Sequence, residues 1–324
     1  MSKYEYDMIV IGGGAAGLTA SGIAANFGAK TMMVEADRLG GDCTWTGCIP
    51  SKTLLKAGKV AKQIREAGKF GLIDGEPNID FKKVMQHVDE VRKEVYEDAD
   101  RPEIFEEMGI EVAFGMASFA DSHTIEIQQP DGELKTVSSK KFIIATGAKP
   151  FIPDIPGLDK VDYLTNESLF EIEDLPKDLI IIGGGPIGTE MSQAFVNLGS
   201  RVTVVDMAPN ILTNDDPELV DILKGELEKQ GVNYELHASI QMIEQDGNSI
   251  RVHIKRDGEV DVIKGDTLLM ATGRRASTAG LNLEAAGVET EDGNIPVNES
   301  CRTNQRHIYA AGRCDRQVSV YAYE

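Results

Sequence analysis

Cysteine occurs only four times in this chain of 324 residues, at Cys43, Cys48, Cys301 and Cys314. Four thiols are too few for a disulfide-built scaffold. In a reducing compartment a close pair points to catalysis or metal binding rather than to structure. No uninterrupted apolar run approaches the roughly 18 residues that span a bilayer. The polar stretch Met1–Asp7 leads straight into an apolar strand, which does not fit a secretory or transit leader, so a cytoplasmic location is expected. Basic residues are also scarce: 33 against 53 acidic ones, for a net charge of −20. DNA and anionic lipid repel such a chain, so neither nucleic acid nor a membrane is expected as a partner. What is abundant is glycine, with 33 residues, within an ordinary globular composition of 41% hydrophobic and 27% charged residues. At about 150 residues per domain, the length allows two domains.

Glycine is concentrated where it carries information. Met8–Ile11 reads as a buried parallel strand, and Gly12, Gly14 and Gly17 follow in G-x-G-x-x-G spacing. Ala15–Phe27 reads as a helix ended by Gly28, and Thr31–Val34 as a second strand with Glu35 at its carboxyl end. Gly12 permits the tight turn, Gly14 lets the backbone approach a pyrophosphate, and Gly17 lets helix and strand pack closely. The helix N-terminus offers amides and positive potential to phosphates. Glu35 suits the ribose hydroxyls.

The unit returns in Lys177–Asp206 with Gly183, Gly185, Gly188, Gly199 and Asp206, each 171 positions after its counterpart. An invariant offset across strand, turn, helix and acid argues for a duplicated dinucleotide-binding domain. Two such sites most simply hold two dinucleotides, often a flavin and a nicotinamide. Phe142–Gly147 (FIIATG) and Leu268–Gly273 (LLMATG) form a second pair of echoes, each a buried strand ending at a glycine close to a cofactor. Phe81–Met108 reads as one helix, Thr124–Ile127 and Leu134–Val137 as a hairpin, and Lys149–Leu158 as a proline-rich linker. A further hairpin is centred on Arg256–Glu259, and Ile308–Gly312 is a last strand returning to the first domain. The fold expected is α/β: two Rossmann-like domains, each a parallel sheet with helices plus a β-meander or hairpin. Residues 1–149 are expected to form the first part of one dinucleotide-binding domain, 150–275 the other, and 276–324 a return segment completing the first; the resemblance named below implies FAD for the first and NAD(P) for the second.

Cys43 and Cys48 lie in GGDCTWTGCIPSKTLLKAG. Five residues rise ~7.5 Å in a helix and span ~16 Å when extended. A disulfide wants ~4.4–6.8 Å between Cα atoms, so a bridge here needs an irregular turn, which Gly40, Gly41 and Gly47 permit. Ser51–Lys62 then reads as helix, and a thiol at its N-terminus is favoured as thiolate. Two buried thiols, half a zinc site or a redox pair beside the flavin are the competing readings. Cys301 and Cys314 show no ligand spacing, so no metal site is expected, and position favours the redox pair.

These segments, with GGGPIGTE at Gly183–Glu190 and Gly273-Arg274-Arg275, resemble the class I pyridine nucleotide–disulfide oxidoreductases over essentially the whole chain. That family includes dihydrolipoamide dehydrogenase, glutathione reductase and mercuric reductase. The resemblance implies FAD in the first domain and NAD(P)H in the second, with hydride passing through flavin to a Cys43–Cys48 disulfide and on to a small-molecule disulfide or related acceptor. It implies Cys48 as the flavin-proximal thiol, Cys43 as the interchange thiol, and Lys52 in a buried pair with Glu190. It assigns Gly12, Gly14, Gly17, Glu35, Thr146, Gly147 and Gly312 to FAD, and Gly183, Gly185, Gly188, Asp206, Gly273 and Arg274 to cofactor binding. Asp206 favours NADH over NADPH by repelling a 2′-phosphate, with Arg201 kept as a residue able to serve NADPH.

Three departures from the family pattern stand out. Arg313 replaces the Asp after Ala-Ala-Gly, with Asp315 two positions later, and Ala276-Ser277 replaces Pro-Asn. A helix expected near Val318 has seven residues left. The family continues past the position of Glu324 into a homodimerisation domain bearing a His–Glu pair, and His307 is not that histidine. The expectation is a chain truncated before that domain. The alternative reading is a non-catalytic or diaphorase-only dinucleotide-binding fragment.

Overall fold

Ile9, Val10 and Ile11 are all buried, as a central parallel strand covered on both faces requires. The computed structural model describes residues 3–73 and 75–314. It places these side chains in β1 (Tyr6–Ile11), followed by α1 (Ala15–Asn26) and β2 (Thr31–Glu35). The short α2 (Gly41–Trp45) and the longer α3 (Cys48–Arg65) come next, then α4 (Phe81–Val95) and α5 (Pro102–Glu107). β3 (Glu111–Phe114), β4 (Met116–Asp121), β5 (Thr124–Gln128), β6 (Leu134–Ile144) and β7 (Ala148–Pro150) complete the first half. The second half begins with β8 (Asp178–Ile182), α6 (Pro186–Leu198), β9 (Arg201–Val205), α7 (Pro217–Gln230) and β10 (Val232–Glu235). It continues with β11 (Ser239–Asp246), β12 (Ser249–Arg256), β13 (Glu259–Gly265), β14 (Thr267–Met270), β15 (Arg274–Ala276) and β16 (Ile308–Ala310).

The elements gather into two compact units. The first is Met1–Trp45, Lys93–Lys149 and Arg274–Glu324; the second is Thr46–Arg92 and Pro150–Gly273. The sequence reading cuts the chain at 149 and 275, whereas the compact units interleave, with 46–92 grouped with 150–273.

In the first unit the sheet order is β3-β2-β1-β6-β5-β4, with β16 also paired to β6. β1, β2, β3 and β16 run parallel in this sheet, and β6 meets β5 antiparallel as part of a three-stranded meander. β6 is long enough to serve both: Leu134–Ser138 pairs with β5, and Phe142–Ile144 lies between β1 and β16. Its core includes Phe119 and Phe142, whose rings meet edge to face at 5.1 Å. The irregular stretch after β15 is not a surface appendage, since Leu281, Leu283, Ala286, Val288 and Ile295 all enter that core.

The second unit holds the parallel sheet β10-β9-β8-β14 and the antiparallel meander β11-β12-β13. α6 lies against β8 and β9 and also against α3, where the missing side chain of Gly58 admits the Ala194 carbonyl. No helix among the described residues is long and apolar enough to cross a membrane.

The sequence reading of Phe81–Met108 as one helix is corrected. α4 widens into a π turn at Tyr96–Asp100, and Arg101 is extended (φ −66°, ψ 147°) before Pro102 opens α5. The proline ring disfavours the helical conformation of the residue preceding it, so the chain must break at Arg101. The helix after the cysteines is longer than the expected Ser51–Lys62, starting at Cys48 and ending at Arg65. Pro50 is tolerated because it falls in the first turn, where its lacking N–H has no intrahelical partner to lose. Asp315 and the helix expected near Val318 lie outside the described residues.

Phe195 is fully buried, with its ring centroid 6.1 Å from that of Phe81. Phe195→Ala is expected to lower the unfolding free energy by about 3–5 kcal/mol in denaturant titration. A loss below about 1 kcal/mol would mean that the ring is not part of a close-packed core.

Candidate functional site

Each unit carries one glycine turn, and the two are built from the same bonds. The amide of Gly12 donates to the Val34 carbonyl at 2.7 Å, and that of Gly183 to Val205 at 2.8 Å. The neighbouring strand closes the turn in both units. Ala145 N donates to Ile11 O and Ala271 N to Ile182 O, each at 2.7 Å. A side chain cannot enter here: a Cβ on Gly12 or Gly183 would lie 2.4 Å from the carbonyl oxygen of Ala145 or Ala271. Both glycines also have strongly positive φ, +108° and +110°, which an L side chain strains to adopt. Gly17 and Gly188 are required for a different reason. Their Cβ atoms would fall 1.8 and 1.9 Å from the carbonyl oxygens of Gly12 and Gly183. The contact that excludes a side chain is therefore with the turn's own backbone.

The second glycine of each turn is the exception. A Cβ on Gly185 would meet nothing within 4 Å, and one on Gly14 would only touch Gly41 Cα at 3.7 Å. These residues cap α1 and α6, and neither helix has a side-chain cap or an acid in its first turn. In contrast, α7 is capped by Asp216, which accepts from the amides of Glu218 and Leu219. Neither helix N-terminus is thus closed by a side-chain cap or a first-turn acid, which is the arrangement an anionic group needs.

The acids at the strand ends are tied to the turns. Glu35 accepts from Gly13 N at 2.6 Å and Asp37 N at 2.9 Å. Asp206 accepts from Gly184 N at 2.6 Å and Ala208 N at 2.8 Å. Each carboxylate has about four lone-pair sites, so two amide bonds leave capacity for hydroxyl donors. The expectation that Arg201 can serve NADPH at the Asp206 site is corrected. Arg201 stands at the opposite end of β9 and holds the Asp178 carboxylate with two guanidinium nitrogens.

In the first unit, Gly40 and Gly41 lay a further segment directly on the turn. Gly40 N donates to Gly13 O at 2.9 Å, and a Cβ on Gly41 would lie 2.7 Å from Gly14 Cα. α2 starts there, so half-buried Cys43 is carried on a helix that begins in contact with the first dinucleotide turn. Buried Thr44 donates to buried Asp100 at 2.5 Å, and Trp45 Nε1 donates to Leu39 O at 2.8 Å. Arg38 stacks on the Trp45 indole and Tyr96 packs at its edge. Burial, aided by Glu103, Glu97 and Asp100, pushes the Tyr96 hydroxyl pKa up and keeps it neutral. Asp42, immediately before Cys43, is ion-paired with Arg274, whose guanidinium also donates to the Ala148 carbonyl. Thr146 lies beside the turn with its hydroxyl buried and unpartnered among the described residues. Gly147 accepts from Ser277 N, and Gly312 packs against Ala16 at the start of α1.

In the second unit, exposed Cys48 is the first residue of α3, capped only by the backbone of Gly47. Lys52 Nζ reaches Glu190 on α6 at 2.7 Å. The sequence reading has this pair buried; here the side chains are 61% and 36% exposed. Gly273 follows the segment that closes the second turn. No cluster of three or more metal-binding side chains occurs among the described residues. His307 donates to Ser122 O and stacks on His123 at 4.0 Å, a structural role.

The Asp42–Arg274 and Thr44–Asp100 contacts escaped the sequence reading. Partners 232 and 56 positions apart share no periodic signal, and only the adjacency of Asp42 and Thr44 to Cys43 marks them.

Two α/β units with duplicated G-x-G-x-x-G turns, one carrying a cysteine helix on its turn, define the class as Rossmann-like α/β proteins. The chain belongs to the pyridine nucleotide-disulphide oxidoreductase family, whose model matches residues 6–322. It is 38% identical to the mercuric reductase of Lysinibacillus sphaericus over 332 aligned positions, covering 100% of this chain and 59% of that protein. Identity to the dihydrolipoyl dehydrogenase of Bacillus subtilis (strain 168) is 35%, covering 95% of this chain and 67% of the relative. Among solved structures, the HOCl-induced flavoprotein disulfide reductase RclA from Escherichia coli matches with a TM-score of 0.84 and 28% identity, over 97% of this chain and 67% of that one. The chain spans 51–59% of the length of three mercuric reductases that it matches.

Three outcomes test this geometry. Gly188→Ala is expected to unfold or strongly destabilise the protein, because its Cβ has no room. Gly185→Ala is expected to keep the wild-type melting temperature while weakening dinucleotide binding at least tenfold, read by calorimetric titration. Lys52→Met is expected to change stability by no more than about 1 kcal/mol, since an exposed pair is screened by solvent; a larger loss in denaturant titration would restore the buried reading.

Proposed function

We propose that this chain is the dinucleotide-binding part of a flavoprotein disulfide oxidoreductase, with FAD held by the first unit and NAD(H) by the second. The observation that carries the reading is the pair of uncapped helix N-termini at Gly14 and Gly185, each beside an acid bonded to the preceding glycine. The residues fit the groups. Gly12, Gly14 and Gly17 leave the amides of α1 open to a diphosphate, Glu35 keeps lone pairs for ribose hydroxyls, and the Thr146 hydroxyl is a buried polar group in want of a partner. Gly183, Gly185, Gly188 and Asp206 repeat that fit for the second dinucleotide. Gly147, Gly273 and Gly312 keep backbone close to the cofactors.

Together the two cofactors supply hydride uptake from the nicotinamide and delivery of two electrons. The protein's part is to present the acceptor as a Cys43–Cys48 disulfide. Both electrons and one proton would come from NADH as hydride and a second proton from solvent, converting that disulfide to two thiols and leaving NAD⁺. Cys48 at the start of α3 is favoured as thiolate by the helix N-terminus. Lys52, one turn further along, holds positive charge near it and is oriented by Glu190. Cys43 then passes the reducing equivalents to a small-molecule disulfide or related acceptor. Asp206, with Arg201 engaged elsewhere, supports NADH over NADPH.

The visible spectrum is the test. The purified protein is expected to be yellow and to develop long-wavelength absorbance with NADH under anaerobic conditions, and more weakly with NADPH. Cys48→Ser is expected to abolish that absorbance while retaining the yellow colour. A colourless protein that still binds NADH would refute the flavoprotein reading and leave a dinucleotide-binding module.

A further inference from the structure

Lys52, Lys56, Lys59 and Lys62 share one face of α3, since steps of four, three and three residues return to the same side of a helix. Along the axis they cover ~15 Å. Like charges at these spacings repel and weaken the helix that bears them. Lysines elsewhere are relieved by acids: Lys69, Lys82, Lys83, Lys224 and Lys229 each lie against a carboxylate. In this row only Lys52 has an ion pair among the described residues, with Glu190. Glu66 and Glu226, which feel the charge of Lys62, are bonded to Lys69 and Lys229. The row lines a groove of about 560 Å³ that lies wholly within the second unit. Glu66 is the one acid in its lining, and no arginine is present there. Gln63 and Gln193 add amide groups that make no side-chain hydrogen bond among the described residues. Gly58 draws the two walls together, because its missing side chain lets α3 approach the backbone of α6 at Ala194.

We propose that this groove binds a compact polyanion, a small molecule carrying two or more phosphate or carboxylate groups. Its volume falls within the ~300–1,000 Å³ of small-molecule pockets. Lysine ammonium groups act as point charges with freely turning donors, which suits clustered anionic oxygens and imposes no planar fork. A bound anion relieves the repulsion along the row. The length of the row also limits the ligand: an extended polyanion runs off its ends onto a chain of net charge −20. The site is separate from the two glycine turns, none of whose residues line it, and it shares only Lys52 with the proposed redox machinery. Lys56 and Lys59, both exposed, belong to the groove alone.

The experiment is calorimetric titration of the purified chain at low ionic strength with inorganic tripolyphosphate and, separately, with citrate. The wild type is expected to bind at least one of the two, and the tighter of them tells phosphate from carboxylate recognition. Lys56→Gln with Lys59→Gln is expected to weaken that binding by about tenfold or more, because two charge-assisted contacts are lost. Lys56→Arg with Lys59→Arg is expected to retain it. Lys224→Gln with Lys229→Gln removes the same charge away from the groove and is expected to change the affinity less than twofold. Added salt is expected to weaken the binding, as screening of exposed charges requires. No binding of either anion would overturn the proposal, and so would equal affinities in the two glutamine pairs. Tighter binding of poly-aspartate or single-stranded DNA than of either small anion would replace the compact ligand with a macromolecule and overturn it as well. The redox reading fails separately: a colourless protein that binds the anion through Lys56 and Lys59 keeps this site and loses the flavoprotein.

Discussion

A backbone-on-backbone contact governs both units. The end of the central strand, the first glycine, the carbonyl of the adjacent strand and the first helical turn occupy one small volume. At Gly12 and Gly183 a single methyl group would lie 2.4 Å from a carbonyl oxygen. Only a residue without Cβ lets the turn close, and the helix that follows starts without a side-chain cap. The acid at the end of the next strand then returns to the turn and bonds the glycine that follows the first, Gly13 or Gly184, locking strand, turn and helix as one object. The uncapped helix N-terminus of each unit is thus a by-product of how its core is closed.

The two turns diverge just beyond that shared frame. Gly13 O receives the amide of Gly40, and Gly184 O receives that of Leu212, both at 2.9 Å. Both donors sit at positive φ, +96° and +47°. In the first unit a second glycine follows, Gly41, and its backbone comes so near Gly14 that α2 can begin on the turn itself. In the second unit Ile211 precedes the donor and packs over Gly184, closing the same space with an apolar side chain. A cysteine can therefore be brought against one glycine turn and not against the other. Polar groups on the helix of that cysteine are paired: the Thr44–Asp100 bond is buried and Asp42 is matched by Arg274. Leaving any of these groups alone in a half-buried position would cost more than the pairs contribute.

Charge follows a different logic at Lys52 and Glu190. A buried ion pair must overcome the desolvation of both partners, whereas an exposed one contributes little to stability and stays accessible. The exposed geometry makes this pair a weak prop of the fold. The acidic surplus of the chain is likewise a property of its surface; the described buried charged side chains are Arg92 and Asp100, and each is paired.

The local elements were legible in the chain itself. Buried β-branched runs, G-x-G-x-x-G spacing and an acid at constant offset are nearest-neighbour signals, so both βαβ units, the hairpins and the late strand Ile308–Ala310 could be read from residue order. The break at Arg101 was also encoded, in the proline that follows it, but helical periodicity on either side hid it. Tertiary structure alone decided which distant groups meet. Arg274 and Asp42 are 232 positions apart, and their pairing comes from β15 and β7 lying beside the cysteine helix, a result of sheet closure rather than of any local pattern. The exposure of Lys52 and Glu190 and the grouping of residues 46–92 with the second sheet were decided in the same way. Burial and packing depend on the whole chain's surface, and no window of sequence contains that surface.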